Sequence, residues 1–210
     1  MKLVFLGPPG SGKGTQAELI SEIVGIRHIS TGNMFRQLAD EGNKLGIEAR
    51  DKYWSKGELV PDDIVINLVK ERLKKPDCKL GFILDGFPRN LNQAKSLDKI
   101  TKIDKVVYIY SFEKEILKRF ENRYQCNNCN IVYGLGKQPK KQGYCDECHK
   151  KLIKREDDNS EILKQRLKIF YDTVNPIVKY YQEKGILIEV NGEKPVEKVK
   201  EEILNKIQAK

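Results

Sequence analysis

A glycine-rich loop near the amino terminus is the first feature that could do chemistry. It follows an apolar run directly and reads Gly7-Pro8-Pro9-Gly10-Ser11-Gly12-Lys13-Gly14-Thr15. Glycines let backbone N–H groups converge on phosphate oxygens, and a helix that begins here points its positive end at them. Lys13 adds a mobile cation. The loop therefore predicts a binding site for nucleotide phosphates, formed by Gly10, Ser11, Gly12, Lys13, Gly14 and Thr15.

This loop departs from the general phosphate-binding pattern at one position. The pattern has Ser or Thr directly after the lysine, whereas here Gly14 intervenes and the hydroxyl belongs to Thr15. We therefore expect Mg²⁺ to be held mainly by phosphates and water.

Four of the five cysteines form two pairs with the spacing of a metal site. The pairs are Cys126-Asn127-Asn128-Cys129 and Cys145-Asp146-Glu147-Cys148, separated by 15 residues. Four thiolates at this spacing close a tetrahedral site with no open position, which favours structural Zn²⁺. A redox-active thiol set and another tetrathiolate metal such as iron are the alternatives. Cys78 stands apart and is expected to be an ordinary thiol.

The elements that must position these residues follow an α/β pattern. Short apolar runs alternate with segments of helical period, which predicts a parallel sheet flanked by helices. The predicted strands are 3–6, 27–30, 81–85, 105–110 and 186–190. The predicted helices are 15–24, one that opens at Pro61, a long one after Asp158 and one that opens at Pro195.

The pattern breaks between Tyr124 and Glu156, a segment called the cysteine insert below. Cysteine, asparagine, glycine and lysine replace the apolar periodicity here. We expect a small inserted subdomain without a hydrophobic core of its own, which the metal holds together.

Composition limits the classes of protein. The chain has 210 residues, with 39 Lys and Arg against 30 Asp and Glu, and a formal charge of +9. A basic chain first suggests nucleic acid. No apolar run approaches the roughly 18 residues of a membrane span, and the amino terminus does not read as a signal peptide. A cytosolic protein with reduced thiols is the expectation.

Four motifs in order and spacing resemble the adenylate kinase family of nucleoside monophosphate kinases. They are the glycine-rich loop, Ile29-Ser30-Thr31-Gly32-Asn33-Met34-Phe35-Arg36, Gly57-Glu58-Leu59-Val60-Pro61-Asp62 and Leu84-Asp85-Gly86-Phe87-Pro88-Arg89. The resemblance implies reversible transfer of a phosphoryl group from Mg-ATP to AMP, giving two ADP. It implies a cytoplasmic monomer whose partners are these nucleotides rather than nucleic acid or membrane. It also implies three regions: a core (1–30, 61–123 and 157–210), a nucleoside monophosphate segment (31–60) and a zinc-bearing lid (124–156).

The resemblance also assigns residues to roles. Lys13, Asp85, Arg89, Arg123, Arg155 and Arg166 would be catalytic. Besides the loop, Arg119, Arg123 and Lys194 would contact ATP. The AMP site would comprise Thr31, Arg36, Glu58, Val60, Gly86, Arg89, Gln93, Arg155 and Arg166. Planar guanidinium groups suit phosphate oxygens, and Asp85 at the end of a buried strand suits the waters of Mg²⁺.

Two residues differ from the family pattern and keep an alternative open. Asn33 lies where the family usually has aspartate, and Asn90 after Arg89 is typical of the related UMP/CMP kinases. Thr31 and Gln93 favour AMP over a pyrimidine nucleotide. A zinc-ribbon nucleic-acid-binding protein with a phosphate loop is the other alternative, which leaves the motif from Asp85 to Arg89 unexplained. His28 and His149 are expected to be incidental, and Asp158 an acid near a helix start.

Overall fold

A parallel sheet lies at the centre of the computed structural model, which describes residues 1–129, 131–134, 137–155 and 158–208. The strands are β1 (Lys2–Leu6), β2 (Arg27–Ser30), β3 (Phe82–Asp85), β4 (Lys105–Tyr110), β5 (Tyr124–Gln125), β6 (Val132–Tyr133) and β7 (Leu187–Asn191). The α-helices are α1 (Lys13–Val24), α2 (Thr31–Asp40), α3 (Lys44–Lys52), α4 (Asp62–Leu73), α5 (Leu91–Ile100), α6 (Glu113–Glu121), α7 (Ser160–Glu183) and α8 (Val196–Gln208).

The central sheet has the strand order β2-β3-β1-β4-β7, and all of its pairings are parallel. All four residues of β3 are buried, as expected for a strand that helices cover on both faces. The predicted fold class, a parallel sheet flanked by helices, is confirmed.

Strand register brings the predicted motifs to one edge of the sheet. Asp85 at the end of β3 pairs with Phe5 of β1 on one side and with Ser30 of β2 on the other. The segments that follow these three strands therefore start side by side. Ligand sites of open parallel sheets lie at this carboxyl edge.

The core has two layers, one on each face of the sheet. Val4 and Leu84 pack on one face together with Val69, Leu97 and Tyr181 from helices α4, α5 and α7. The opposite layer contains apolar residues of α1 and α8, among them Ala17, Ile20, Val199 and Ile203. Side chains of neighbouring residues in a strand point to opposite faces of the sheet, so a central strand contributes to both layers and is packed on both sides.

Element boundaries differ slightly from the predicted ones. Helix α1 begins at Lys13 rather than Thr15, because Gly12 already has the left-handed conformation of its N-cap (φ 91°). Strand β3 begins one residue later than predicted, and β7 runs from Leu187 to Asn191. No described helix combines the length and apolar character needed to cross a membrane.

The cysteine insert has more internal packing than the sequence suggested. Strands β5 and β6 pair antiparallel, and Gln125 also bridges to Ile153. Tyr133 and Leu152 are buried beside Cys126 and Cys145, so the insert contains a small buried cluster that the sequence did not predict. The predicted end of the insert, Glu156, lies outside the described residues.

Candidate active site

A large cleft opens at the carboxyl edge of the sheet between the glycine-rich loop, α6 and the cysteine insert. Every residue predicted to bind ATP lines this large cleft: Gly10, Ser11, Gly12, Lys13, Gly14, Thr15, Arg119, Arg123 and Lys194. The cleft also contains Asp85, Arg89, Arg155 and Arg166. The structure therefore brings the predicted catalytic residues together.

The backbone of the loop needs glycine at two points. Gly10 has φ 82°, and a Cβ there would lie 2.7 Å from the Phe120 ring. Gly12 caps α1 without any side-chain hydrogen bond, which leaves the first N–H groups of the helix available to an anion. The loop thus has the backbone shape that a phosphate site requires.

Lys13 is held in the loop and has an altered acidity. Its Nζ donates to the carbonyl of Pro8 at 3.2 Å. Burial disfavours the charged form and, although Asp85 opposes it, the pKa of Lys13 is lowered to about 8. The neighbouring guanidinium groups of Arg89 and Arg166 act in the same direction as burial.

Asp85 is a buried carboxylate next to the loop. Its Oδ2 lies 3.6 Å from His28 Nε2, and a Cβ on Gly14 would lie 3.3 Å from the same oxygen. Burial by itself would raise the pKa of Asp85, but His28 and Lys13 outweigh it and the pKa is lowered. The buried Oδ1 has no hydrogen-bond partner among the described residues, and Asp85 lines the cleft, so the carboxylate keeps an acceptor that suits the waters of Mg²⁺.

Arg123 is oriented by Asp158, which sequence reasoning set aside. The carboxylate accepts from Arg123 Nε at 2.7 Å and from Nη2, and its side chain is 1% exposed. The Arg123 guanidinium also lies 3.8 Å from the centre of the Phe120 ring. Asp158, which precedes helix α7, therefore positions Arg123, a predicted phosphate ligand. The sequence showed only that Asp158 lies near a predicted helix start.

Arg119 connects the two loops that border the same part of the cleft. It donates to the carbonyl of Gly10 at 3.3 Å and to the carbonyl of Gly192 at 2.7 Å. Lys194 follows that second loop, and its Nζ pairs with Glu202 at 2.7 Å. This geometry fixes a flat guanidinium where a base could stack on it.

A small pocket adjoins the cleft and contains almost all of the predicted AMP residues. They are Thr31, Arg36, Glu58, Val60, Gly86, Arg89, Gln93 and Arg166. Arg155 lines only the large cleft, and its Nε donates to Gln125 Oε1. Phe35, Trp54 and Leu59 line the small pocket without having been predicted. The small pocket thus combines apolar walls with several cations.

The arginines of the small pocket have internal hydrogen bonds. Arg36 Nη2 donates to Asn33 Oδ1 at 2.6 Å, and Arg89 Nε donates to the carbonyl of Gly86 at 2.8 Å. Gly86 has φ 82°, and a Cβ there would lie 2.9 Å from Thr31 Oγ1. Asn33 therefore orients a predicted phosphate ligand without adding negative charge.

Gln93 and Asn90 belong to a hydrogen-bonded group around Asp62. Gln93 Nε2 and Asn90 Nδ2 donate to Asp62 Oδ1 at 2.7 and 2.8 Å, and Asn92 Nδ2 donates to Oδ2 at 2.6 Å. Asn90 also caps α5 by accepting from the Gln93 N–H. Its departure from the family pattern thus has a local structural role.

The four cysteines of the insert converge as the spacing predicts. Their sulfur atoms all lie within 4.8 Å of one another. Zinc with Zn–S bonds of about 2.3 Å needs sulfur atoms about 3.8 Å apart, so the donor set fits. Hydrogen bonds from the Cys148 backbone and the Tyr133 hydroxyl lower the pKa of Cys145 to about 6 although burial opposes them. The pKa values of Cys126 and Cys129 are raised instead, by burial and by a hydrogen bond with Cys148 respectively, so metal binding must displace their protons.

The fifth cysteine, Cys78, and the second histidine, His149, lie outside the candidate site. Cys78 is buried beside Arg72, whose Nη1 donates to its sulfur at 3.0 Å. His149 has a left-handed backbone (φ 58°) directly after Cys148. Neither residue lines the cleft or the small pocket.

Comparison with known proteins places these features in a family context. A family model described as adenylate kinase matches residues 5–186. An adenylate kinase of Archaeoglobus fulgidus is 48% identical, and the match covers 97% of this chain and 96% of that protein. Adenylate kinases of Thermosipho melanesiensis (46% identical; 99% and 100% covered) and Acetivibrio thermocellus (44% identical; 98% and 97% covered) are similar over comparable lengths.

Proposed function

The chain belongs to the adenylate kinase family and is a phosphotransferase acting between ATP and AMP, and we propose that the large cleft binds ATP while the small pocket binds AMP. The observation that carries this assignment is that Gly86, Arg89 and Arg166 line both cavities. Two anion sites that meet at shared cations are what direct transfer between two nucleotides requires.

The loop and its neighbouring arginines provide charge stabilisation in this proposal. Lys13 contacts the transferred phosphoryl group, while Arg123 and Arg155 approach from the side of the cysteine insert. Arg89 and Arg166 lie between donor and acceptor. Five cations around one phosphoryl group offset the charge of the transition state without any covalent intermediate.

Asp85 and the loop would hold the metal that accompanies ATP. The partnerless Oδ1 of Asp85 and the position of its Oδ2 against Gly14 support this role. When bound, Mg²⁺ would neutralise part of the charge of the ATP phosphates. The chain's own contribution is to orient the waters of the ion through Asp85 and to bind phosphate through the loop backbone.

The small pocket binds AMP by its phosphate and by its base. Arg36 and Arg89 bind the phosphate, and Thr31 and Gly86 lie beside it. Glu58 and Val60 contact AMP through their backbone atoms. Gln93 faces the base edge. Because Asn90 is explained by capping α5 and by its bond to Asp62, it gives no support to a pyrimidine acceptor.

We assign the cysteine insert, residues 124–156, as a lid stapled by structural zinc through Cys126, Cys129, Cys145 and Cys148. The converging sulfur atoms support this assignment. Residues 31–60 form the AMP-binding segment, and residues 1–30, 61–123 and 157–210 form the core. Lid closure would bring Arg123 and Arg155 over the donor phosphates and exclude water.

We further propose a cytoplasmic monomer. One buried cysteine outside the insert and four cysteines placed to bind a metal, with no disulfide among them, suit a reducing compartment.

A coupled assay of ADP formation tests the proposed function. The purified chain is given Mg-ATP with AMP, CMP, UMP or GMP in turn, and AMP is expected to give the highest kcat/KM. Faster turnover with CMP or UMP would contradict the AMP assignment. A Gln93→Ala variant is expected to raise KM for AMP, and an unchanged KM would move the base away from Gln93.

A further inference from the structure

Three side-chain amides converge on one carboxylate, Asp62, at the start of helix α4. Gln93 and Asn90 donate to Oδ1, and Asn92 donates to Oδ2, at distances of 2.6 to 2.8 Å. Asp62 itself does not line the small pocket, whereas Gln93 does and is 1% exposed. Any influence of Asp62 on a ligand must therefore pass through Gln93.

Both ends of the Gln93 amide are fixed. Its Oε1 accepts from the backbone N–H of Arg89 at 2.8 Å, and its Nε2 donates to Asp62 at 2.7 Å. A half-turn of the amide would set its NH₂ against the Arg89 N–H and its oxygen against the Asp62 carboxylate. Both contacts would then be repulsive, since an ionised carboxylate only accepts and a backbone N–H only donates.

The carboxylate form of Asp62 is favoured by the same contacts. Burial by itself would raise its pKa, but hydrogen bonds from Asn92, Asn90 and Gln93 lower it. Asp62 therefore stays an acceptor at neutral pH.

The fixed amide retains one N–H and one oxygen lone pair for a ligand, in a set order. A 6-aminopurine presents a donor at N6 beside an acceptor at N1. A 6-oxopurine presents an acceptor at O6 beside a donor at N1, which is the reverse order. An amide that cannot turn matches only one of these two edges.

We propose that Asp62 is a positioning residue that sets base specificity: by locking the Gln93 amide, it makes the small pocket accept a 6-aminopurine nucleotide and reject a 6-oxopurine nucleotide. This inference rests on the proposed placement of the AMP base at Gln93. Rejection arises because the wrong base leaves buried polar groups facing like groups, which costs more than a missing contact.

The test compares AMP with IMP, whose hypoxanthine has nearly the shape of adenine but the reversed edge. Asp62→Ala removes the lock, and Asp63→Ala is the matched control because Asp63 is the other acid in the first turn of α4 and is exposed. With Mg-ATP as donor, we expect Asp62→Ala to raise KM for AMP roughly two- to tenfold, the worth of about one hydrogen bond. The AMP/IMP ratio, which is kcat/KM for AMP divided by kcat/KM for IMP, should fall by a larger factor than the factor by which KM for AMP rises. KM for ATP should stay unchanged.

A conservative variant separates positioning from general damage. Asp62→Asn keeps an oxygen that can accept from Gln93 but adds an NH₂ that can pair with a turned amide, so its AMP/IMP ratio should lie between those of the unsubstituted chain and Asp62→Ala. Thermal unfolding of each variant reports loss of fold separately from loss of selectivity. An unchanged AMP/IMP ratio in folded Asp62→Ala, or an equal fall in Asp63→Ala, would overturn the proposal.

A double-variant cycle distinguishes this proposal from the proposed function. If Asp62 acts through Gln93, Asp62→Ala should not lower the AMP/IMP ratio further when Gln93 is already alanine. Further loss in that background would overturn the proposal. If Gln93→Ala alone leaves both KM for AMP and the ratio unchanged, the placement of the base is wrong, and the role of Asp62 falls with it.

Discussion

Single residues of the site are oriented by acceptors of the chain itself. Lys13 donates to the Pro8 carbonyl, Arg119 to the Gly10 and Gly192 carbonyls, and Arg123 to Asp158. Each cation therefore has a defined direction before a nucleotide arrives. Preorganised donors stabilise developing charge more effectively than groups that must first turn.

The lowered pKa of Lys13 predicts an alkaline limit to activity. The ammonium is the active form, so kcat/KM for ATP should fall as the pH rises through about 8, the pKa of Lys13 in the free protein. A pH profile of initial rates measures this. The arginine of Lys13→Arg keeps its charge throughout this range, so the residual activity of this variant should not decline as the pH rises through about 8. If kcat/KM for ATP of the unsubstituted chain declines only near the ordinary pKa of lysine, the expectation is contradicted.

Asp158→Asn tests the positioning of Arg123. The amide keeps the shape but loses the charge that pairs with the guanidinium, so we expect kcat to fall about tenfold through misplacement of one phosphate ligand. Steady-state kinetics with Mg-ATP and AMP measures it. Glu161→Gln is the matched control, because Glu161 is an exposed acid in the first turn of the same helix. Equal effects would mean that Asp158 acts only as an acid near a helix start.

Among the elements, the cysteine insert depends most on something other than apolar packing. Its two short strands have two residues each, and its buried cluster contains two cysteines beside Tyr133 and Leu152. So small a cluster cannot offset the entropy of ordering the segment. The proposed zinc, by binding only the folded insert, would supply the missing stability.

Removal of one ligand should therefore destabilise the insert. Cys126→Ser is expected to lower the zinc content from about one per chain to well below it, and to lower the unfolding temperature. Metal analysis and thermal unfolding measure the two effects. Cys78→Ser is the matched control, since Cys78 is buried outside the cluster and should leave the zinc content unchanged. A chain that contains no zinc when purified would refute the zinc assignment.

Considered as a whole molecule, the chain combines a charge of +9 with a concentrated group of cations at the candidate site. That group lines the two cavities and comprises Lys13, Arg36, Arg89, Arg119, Arg123, Arg155 and Arg166. The net charge first suggested nucleic acid, but this clustering matches nucleotide phosphates. Mutual repulsion among these cations is relieved when phosphates bind between them.

Nucleotide binding should accordingly stabilise the whole fold. ATP at one hundred times its Kd is expected to add about 2.7 kcal/mol to the free energy of unfolding. Thermal unfolding with increasing ATP measures the effect. Adenosine at the same concentrations is the control, since it lacks the phosphates and should raise the unfolding temperature much less. Equal shifts with adenosine would show that the cations contribute little to binding.

Local signals in the sequence accounted for much of the fold and the site. The glycine-rich loop, the spacing of the cysteines and the apolar strands each depend on neighbouring residues, whose period and conformational preference determine the local structure. The resemblance to a family then supplied roles for the arginines, and the structure places them around the same two cavities.

Contacts between distant residues were decided only by the tertiary structure. Asp158 reaches Arg123 across 35 positions, and Asp62 reaches Gln93 across 31. A carboxylate in the sequence does not indicate its partner, because the partner depends on how two helices or loops pack against each other. The sequence by itself thus determined which residues could bind phosphate and metal, whereas packing decided which neighbours orient them.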